Sequence, residues 1–194
     1  VIVNPALEVV KLGGSLLARP DLVPAVRAWL ADNQDRPVVF VVGGGSLVDH
    51  LREVCRTMPV DDHTAHWLAI DAMELSAHWL AWRIPELATV AHYDKAAAIK
   101  DTCRTSVMLC GLFLRENEPL LPGTRLPIGW QVTSDSIAAR LAVCLGASRL
   151  TLIKSRAATA AESTDWHQAT RSGLVDAFFP SLVGELTEVR VVTI

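Results

Sequence analysis

Cysteine is sparse among the 194 residues, and none of the four falls in a CxxC spacing. Cys55, Cys103, Cys110 and Cys144 therefore read as ordinary reduced, mostly buried residues, not as a disulfide framework or a zinc site. No block of Lys and Arg occurs, and the formal net charge is −3, which argues against a general nucleic-acid binder. No apolar run reaches the length that crosses a membrane. Internal repeats and low-complexity tracts are missing too. Val1-Ile2-Val3-Asn4-Pro5 lacks the charged region and cleavage pattern of a signal peptide, so a cytoplasmic location is expected. Neither GxxxxGKS/T nor GxGxxG is present, which excludes a P-loop or a Rossmann assignment.

What remains is apolar and layered. Hydrophobic residues make up 51% and charged residues 20%, a balance that suits one globular domain over residues 1–194. Two glycine-rich turns stand out, each at the end of a β-branched run. The first is Val9-Val10-Lys11-Leu12-Gly13-Gly14-Ser15, the second Val38-Val39-Phe40-Val41-Val42-Gly43-Gly44-Gly45-Ser46. Consecutive glycines let a backbone approach a ligand closely, and the amphipathic stretch after each turn places free amides near a helix start, where anions are favoured. Lys11 adds a cation at the first turn. This is the chemistry of a polyphosphate site, met twice.

Strands are expected at 8–12, 38–42, 87–92, 106–109, 149–153 and 189–193. Helices should span 21–33 with Asp21 as cap, 46–57 with Leu47, Leu51, Val54 and Cys55 inward, and 61–82, where Pro85 follows. A helical turn or two should cover Lys95 to Thr102, and a further helix should open at Ser134 or Asp135 and end at Gly146. Glu116 to Trp130 reads as a loop from its prolines and glycines. Alternation of strands and helices predicts an α/β three-layer sandwich with a mostly parallel central sheet. Ligands in such sheets bind beyond the carboxyl ends of the strands, where both glycine turns, Lys11 and Lys154 fall.

Thr133, Ser134 and Asp135 gather three polar side chains at one helix start. Either one is an N-cap, or Asp135 holds lysine side chains while the hydroxyls donate to a ligand. His63 and His66 near Asp62 form a weak metal signal; a helix-surface histidine beside a core tryptophan is the preferred reading. His66 and Trp67 also follow the second glycine turn, where they suit recognition of an acceptor by an aromatic face. Arg104, Arg125 and Arg140 are each candidates to meet an anion, and the sequence does not choose among them.

The ordered set KLGGS, GGGS, TSDSIAARLAVCLGA and LTLIKS resembles the amino acid kinase superfamily. The segments Ala65–Ile70, Trp130–Ala139 and Gly173–Asp176 are most similar to its small archaeal-type branch, which contains the aminomethylfuranmethyl phosphate kinase of methanofuran biosynthesis. The resemblance implies an amino acid kinase-like fold and ATP-dependent phosphorylation, with Mg²⁺, of a small anionic acceptor such as a phosphate monoester. By motif it implies Lys11, Asp135 and Lys154 as catalytic residues. Lys11, Gly13, Gly14, Ser15 and Lys154 would bind the nucleotide phosphates. Gly43, Gly44, Gly45, Ser134 and His66 would face the acceptor, and no protein carboxylate cage would hold the metal. Relatives of this kind are homo-oligomers, and the apolar helix from Asp61 to Trp82 offers surface for such contacts. After Lys154 the chain carries no glycine where the family often does, which leaves an alternative: a nucleotide- or phosphate-binding protein on the kinase fold that transfers nothing.

Overall fold

A computed structural model describes residues 7–101 and 104–194; the expectations for Val1 to Pro5, Thr102 and Cys103 lie outside them. Among the described residues, six strands form one sheet: β1 (Glu8–Leu12), β2 (Val38–Val42), β3 (Ala88–Val90), β4 (Thr105–Met108), β5 (Arg149–Ile153) and β6 (Val189–Val192). Their order is β3-β4-β2-β1-β5-β6 and every neighbouring pair is parallel. The helices are α1 (Leu22–Asp32), α2 (Gly45–Thr57), α3 (Asp62–Arg83), α4 (Tyr93–Ala97), α5 (Cys110–Leu112), α6 (Ser134–Leu145), α7 (Ala160–Thr164) and α8 (Trp166–Arg171). The three-layer, parallel-sheet expectation holds.

Every residue of β1 and β2 is buried, as an inner parallel strand with both faces covered requires. Strand side chains alternate between faces. Val9, Val39, Val41, Leu150 and Leu152 join one core cluster with Ile137, Ala138 and Leu141 of α6. Val10, Leu12, Phe40 and Ile153 join the other, with Leu16, Leu22, Val26 and the C-terminal part of α3. Each such buried side chain contributes roughly 1.5–3 kcal/mol. Alanines at 138, 139 and 142 let α6 lie close against the sheet.

The chain lays β2, β3 and β4 on one side of β1 and then crosses to lay β5 on the other. The carboxyl ends of β1, β2 and β5 thus meet at a switch point, where α/β sheets bind ligands. Two backbone bonds extend the ladders past the strand ends there: Gly13 N–H donates to Ile153 O and Gly43 N–H to Leu12 O, each at 2.9 Å.

Several local expectations need correction. Asp21 does not cap α1; its carboxylate accepts from the Arg19 guanidinium instead. On α2 the buried residue is Val48, whereas Leu47 and Val54 face outward. The loop after Glu116 begins with short turns, and it is held by Arg140, which is wholly buried. Its Nε donates to Glu118 at 2.9 Å and its terminal nitrogens to the carbonyls of Pro122 and Leu121 at 2.7 and 2.9 Å. Arg140 is therefore committed to the loop and not a free anion ligand. Of the described cysteines Cys110 is buried, while Cys55 and Cys144 are half-buried. Within 155–171, Ala160–Thr164 and Trp166–Arg171 form α7 and α8, the first opened by a capping box between Thr159 and Glu162. Among the described residues, no helix is long and apolar enough to cross a membrane.

Candidate functional site

Period-two alternation puts Lys11 on the face of Val9, and Lys154 on the face of Leu152, so both point toward α6. There Asp135 receives them. Lys11 Nζ lies 3.0 Å from Asp135 Oδ1, and Lys154 Nζ donates to both carboxylate oxygens at 2.7 and 2.8 Å. Lys11 and Asp135 are buried and Lys154 nearly so. Burial pushes the Asp135 carboxyl upward, but the two ammonium groups together outweigh it and hold it below the usual aspartate range. Burial, reinforced by the charge of Lys11, lowers Lys154 to about 8 against the pull of Asp135. The triad carries one positive charge in excess, at a place where unmatched charge is costly. Such an arrangement favours an incoming anion.

Asp135 is free for this because another residue caps its helix. Thr133, at the N-cap, makes no side-chain cap bond. Asp176 accepts from the backbone amides of Thr133 and Ser136, each at 2.9 Å, and from the Thr133 hydroxyl at 2.9 Å. It also takes the Ser136 hydroxyl and the amides of Phe178 and Phe179. Burial, and then the nearby Asp135 charge, raise its pKa despite these donors. Neither Ser134 nor Asp135 is the cap, and no local pattern identifies Asp176, 40 residues away from Ser136.

The two glycine turns touch, making one structure instead of two cradles. A Cβ on Gly14 would lie 2.1 Å from the Gly45 nitrogen and 2.6 Å from the Gly43 oxygen. Gly45 adopts φ +54°, and its own Cβ would meet Gly14 O at 2.5 Å. Gly14, Ser15, Gly43, Gly44 and Gly45 line a common cleft of about 170 Å³. Ser134 and His66 line it too, so the residues expected on the acceptor side share one cavity. No side chain caps α2, and its first residues border this cleft, leaving first-turn amides available to an anion. Gly13 packs beneath, against Ile153 O, beside Lys154.

His66 reverses the expectation: it is buried, and Trp67 is the half-exposed neighbour. Gly129 N–H donates to His66 Nδ1 at 3.3 Å, tying α3 to the loop before α6. Burial holds the imidazole below its usual pKa, so it is neutral at pH 7. Among the described residues, no group of three or more His, Cys, Asp or Glu is disposed to hold a metal. The cleft also contains residues that sequence reasoning missed: Asp49, Arg52 and Trp130. Arg52 donates to Asp49 at 2.9 Å and lies over the Trp130 ring, 5.0 Å from its centroid. The signal was present in the i, i+4, i+7 spacing of Gly45, Asp49 and Arg52, which sets all three on one helix face.

Comparison with known proteins agrees with this geometry. Residues 6–157 match the model of the amino acid kinase family. Over 134 residues the chain is 26% identical to the (5-(aminomethyl)furan-3-yl)methyl phosphate kinase of Methanocaldococcus jannaschii, covering 68% of this chain and 58% of that protein. Uridylate kinase from Archaeoglobus fulgidus superposes with a TM-score of 0.57 at 24% identity, over 77% of this chain and 63% of that one. UMP kinase from Ureaplasma parvum gives a TM-score of 0.71 at 14% identity, over 98% of this chain and 90% of that one. The two structural likenesses bear on the fold alone. The chain spans less than two thirds of the length of the first two relatives.

Proposed function

Since the chain belongs to the amino acid kinase family, we propose that it is an ATP-dependent kinase of a small anionic acceptor. The acceptor we favour is a phosphate monoester of the aminomethylfuranmethyl phosphate type, converted to a diphosphate in assembly of a methanofuran-type one-carbon cofactor. The relative from Methanocaldococcus jannaschii supports the choice of acceptor. The observation that carries the kinase reading is the buried Lys11–Asp135–Lys154 triad, with its excess positive charge beside two interlocked glycine turns.

In this mechanism an acceptor phosphate oxygen attacks the γ-phosphorus of ATP, the bond from that phosphorus to the β,γ-bridging oxygen breaks, and ADP leaves with its electron pair. Lys11 neutralises charge on the moving phosphoryl group, and Lys154 does so on the nucleotide side. Asp135 keeps both ammonium groups aimed at the same place. Gly14 and Ser15 hold the nucleotide phosphates over Gly13, whose own amide is taken by Ile153 O; Gly43, Gly44, Gly45 and Ser134 hold the acceptor. His66 fixes the loop behind it. An ionised phosphate is already a nucleophile, so no general base is required. Mg²⁺, when bound, adds charge neutralisation, and both oxygens of Asp135 are already taken by lysines, so the nucleotide phosphates would hold it. The residues act as one domain in the cytoplasm and self-associate through α2 and α3.

A second reading, binding without transfer, is favoured by one feature. The segment after Lys154 lacks the glycine that the family often carries there, and Arg156 and Glu162 pair with each other at 2.9 and 2.7 Å. Calorimetry with ATP and a phosphoryl-transfer assay separate the readings. The kinase reading expects diphosphate product, and loss of at least ~100-fold in kcat for Lys11→Ala. Tight ATP binding with no product over long incubation would leave only the second reading standing.

A further inference from the structure

We propose that Arg52 and Trp130 form a clamp at the outer end of the acceptor cleft that selects a flat, π-rich ring carried by the acceptor beyond its phosphate. The inference rests on the kinase reading only in taking this cleft as the acceptor side. Gly45 opens α2, and Arg52 follows seven residues later on the same face, roughly 10 Å along the helix axis at 1.5 Å per residue. A phosphate seated at the glycine turns therefore directs the rest of its molecule along α2 toward Arg52. The cleft walls include the apolar Val48, Ile70, Met73, Val132 and Ile137 beside His66, Thr133 and Ser134. The half-open cleft offers about 170 Å³, below the 300–1,000 Å³ of typical ligand pockets, so the part of the ligand held within it is small.

The outer end differs in kind from a second anion site. One nitrogen of the Arg52 guanidinium is already paired with Asp49 at 2.9 Å, which offsets part of its charge toward a second carboxylate or phosphate. The Trp130 face, by contrast, carries the guanidinium of a partly exposed side chain, 41% accessible. The backbone that carries Trp130 is held on its N-terminal side. Trp130 follows Gly129, which His66 holds and whose carbonyl accepts from Val132 N–H at 3.3 Å. One jaw thus stands on a backbone held at Gly129, and the other is a long, partly exposed side chain. An aromatic ring that packs on the indole and takes the guanidinium over its own face uses both jaws; an aliphatic chain packs on the indole alone.

The test compares benzyl phosphate with butyl phosphate, which carry the same phosphate charge. Dissociation constants are measured by calorimetry without nucleotide, and kcat and KM with ATP, for the parent, Trp130→Leu, Trp130→Phe and Arg52→Gln. The parent should bind the aromatic ester about tenfold more tightly. Trp130→Leu and Arg52→Gln should collapse that ratio toward one through KM, and Trp130→Phe should restore most of it. Equal binding of the two esters by the parent overturns the proposal, as does an unchanged ratio in both variants. Selective binding without product would instead sink the kinase reading and leave the clamp intact.

Discussion

Lys11 and Lys154 belong to different strands, yet they converge because each stands at a parity that faces α6, and a single carboxylate there serves both. Their legibility in the sequence follows from the same fact: a lysine at the end of a β-branched run in a parallel sheet falls where ligands bind. The Arg52–Trp130 contact was not legible, because it joins residues 78 positions apart through a loop whose path no local pattern fixes. The depressed Lys154 makes a prediction at this scale. A lysine is charged below its pKa, so with a value of about 8 its charge is present at pH 7 and is lost as pH rises through 8. Transfer should therefore decline on an alkaline limb near pH 8. Lys154→Arg should move that limb upward beyond the measurable range, and Asp135→Asn, which removes the influence that raises Lys154, should move it to lower pH. A limb that stays in place in Lys154→Arg would remove Lys154 from the step it is assigned.

At the scale of elements, α6 owes its start to a residue from another part of the chain. Asp176 gathers donors from Thr133, Ser136, Phe178 and Phe179 on one buried carboxylate, and so joins the start of α6 to the segment after α8. Replacing an N-cap costs ~1–2 kcal/mol, and here further buried donors would be stranded as well. Asp176→Ala should thus lower stability by about 2 kcal/mol or more, read as a lower urea midpoint. Asp176→Asn retains one acceptor oxygen and should fall between the two. If Asp176→Ala unfolded at the parent's midpoint, the cap would be dispensable. Element boundaries were legible where capping is local: Asp61 accepts from Thr64 N–H at the start of α3, and Gly146, at φ +62°, ends α6. The inward face of α2 was misread for a physical reason. Leu47, Leu51 and Val54 form an apolar stripe at helical spacing, but Leu47 and Val54 point outward while Val48 packs inside. Periodicity finds an apolar face without saying what covers it.

That outward stripe acquires meaning only for the whole molecule. Leu47, Val54 and Met58 on α2 and at its end, with Leu68, Leu75, Trp79 and Trp82 on α3, are exposed on two helices that pack together. Scattered exposed apolar residues are ordinary, but Leu47, Leu75 and Trp79 gather along one groove, which makes this the surface proposed for association. The same surface borders the site. Leu47, Leu75 and Trp79 line a groove that also includes Gly14, Ser15, Gly44 and Asp49, residues shared with the acceptor cleft. Covering the groove would therefore brace the start of α2, where acceptor phosphate is proposed to sit, so association and acceptor binding should be coupled. The parent is expected to sediment as a dimer or larger species. A Leu75→Lys, Trp82→Lys double variant, altered outside the cleft, should sediment as a monomer with an unchanged far-UV circular dichroism spectrum and a KM for acceptor raised several-fold. A parent that stays monomeric at high concentration would refute the association. A monomeric variant with the parent's KM would refute the coupling, leaving the stripe as a surface that joins subunits without shaping the site.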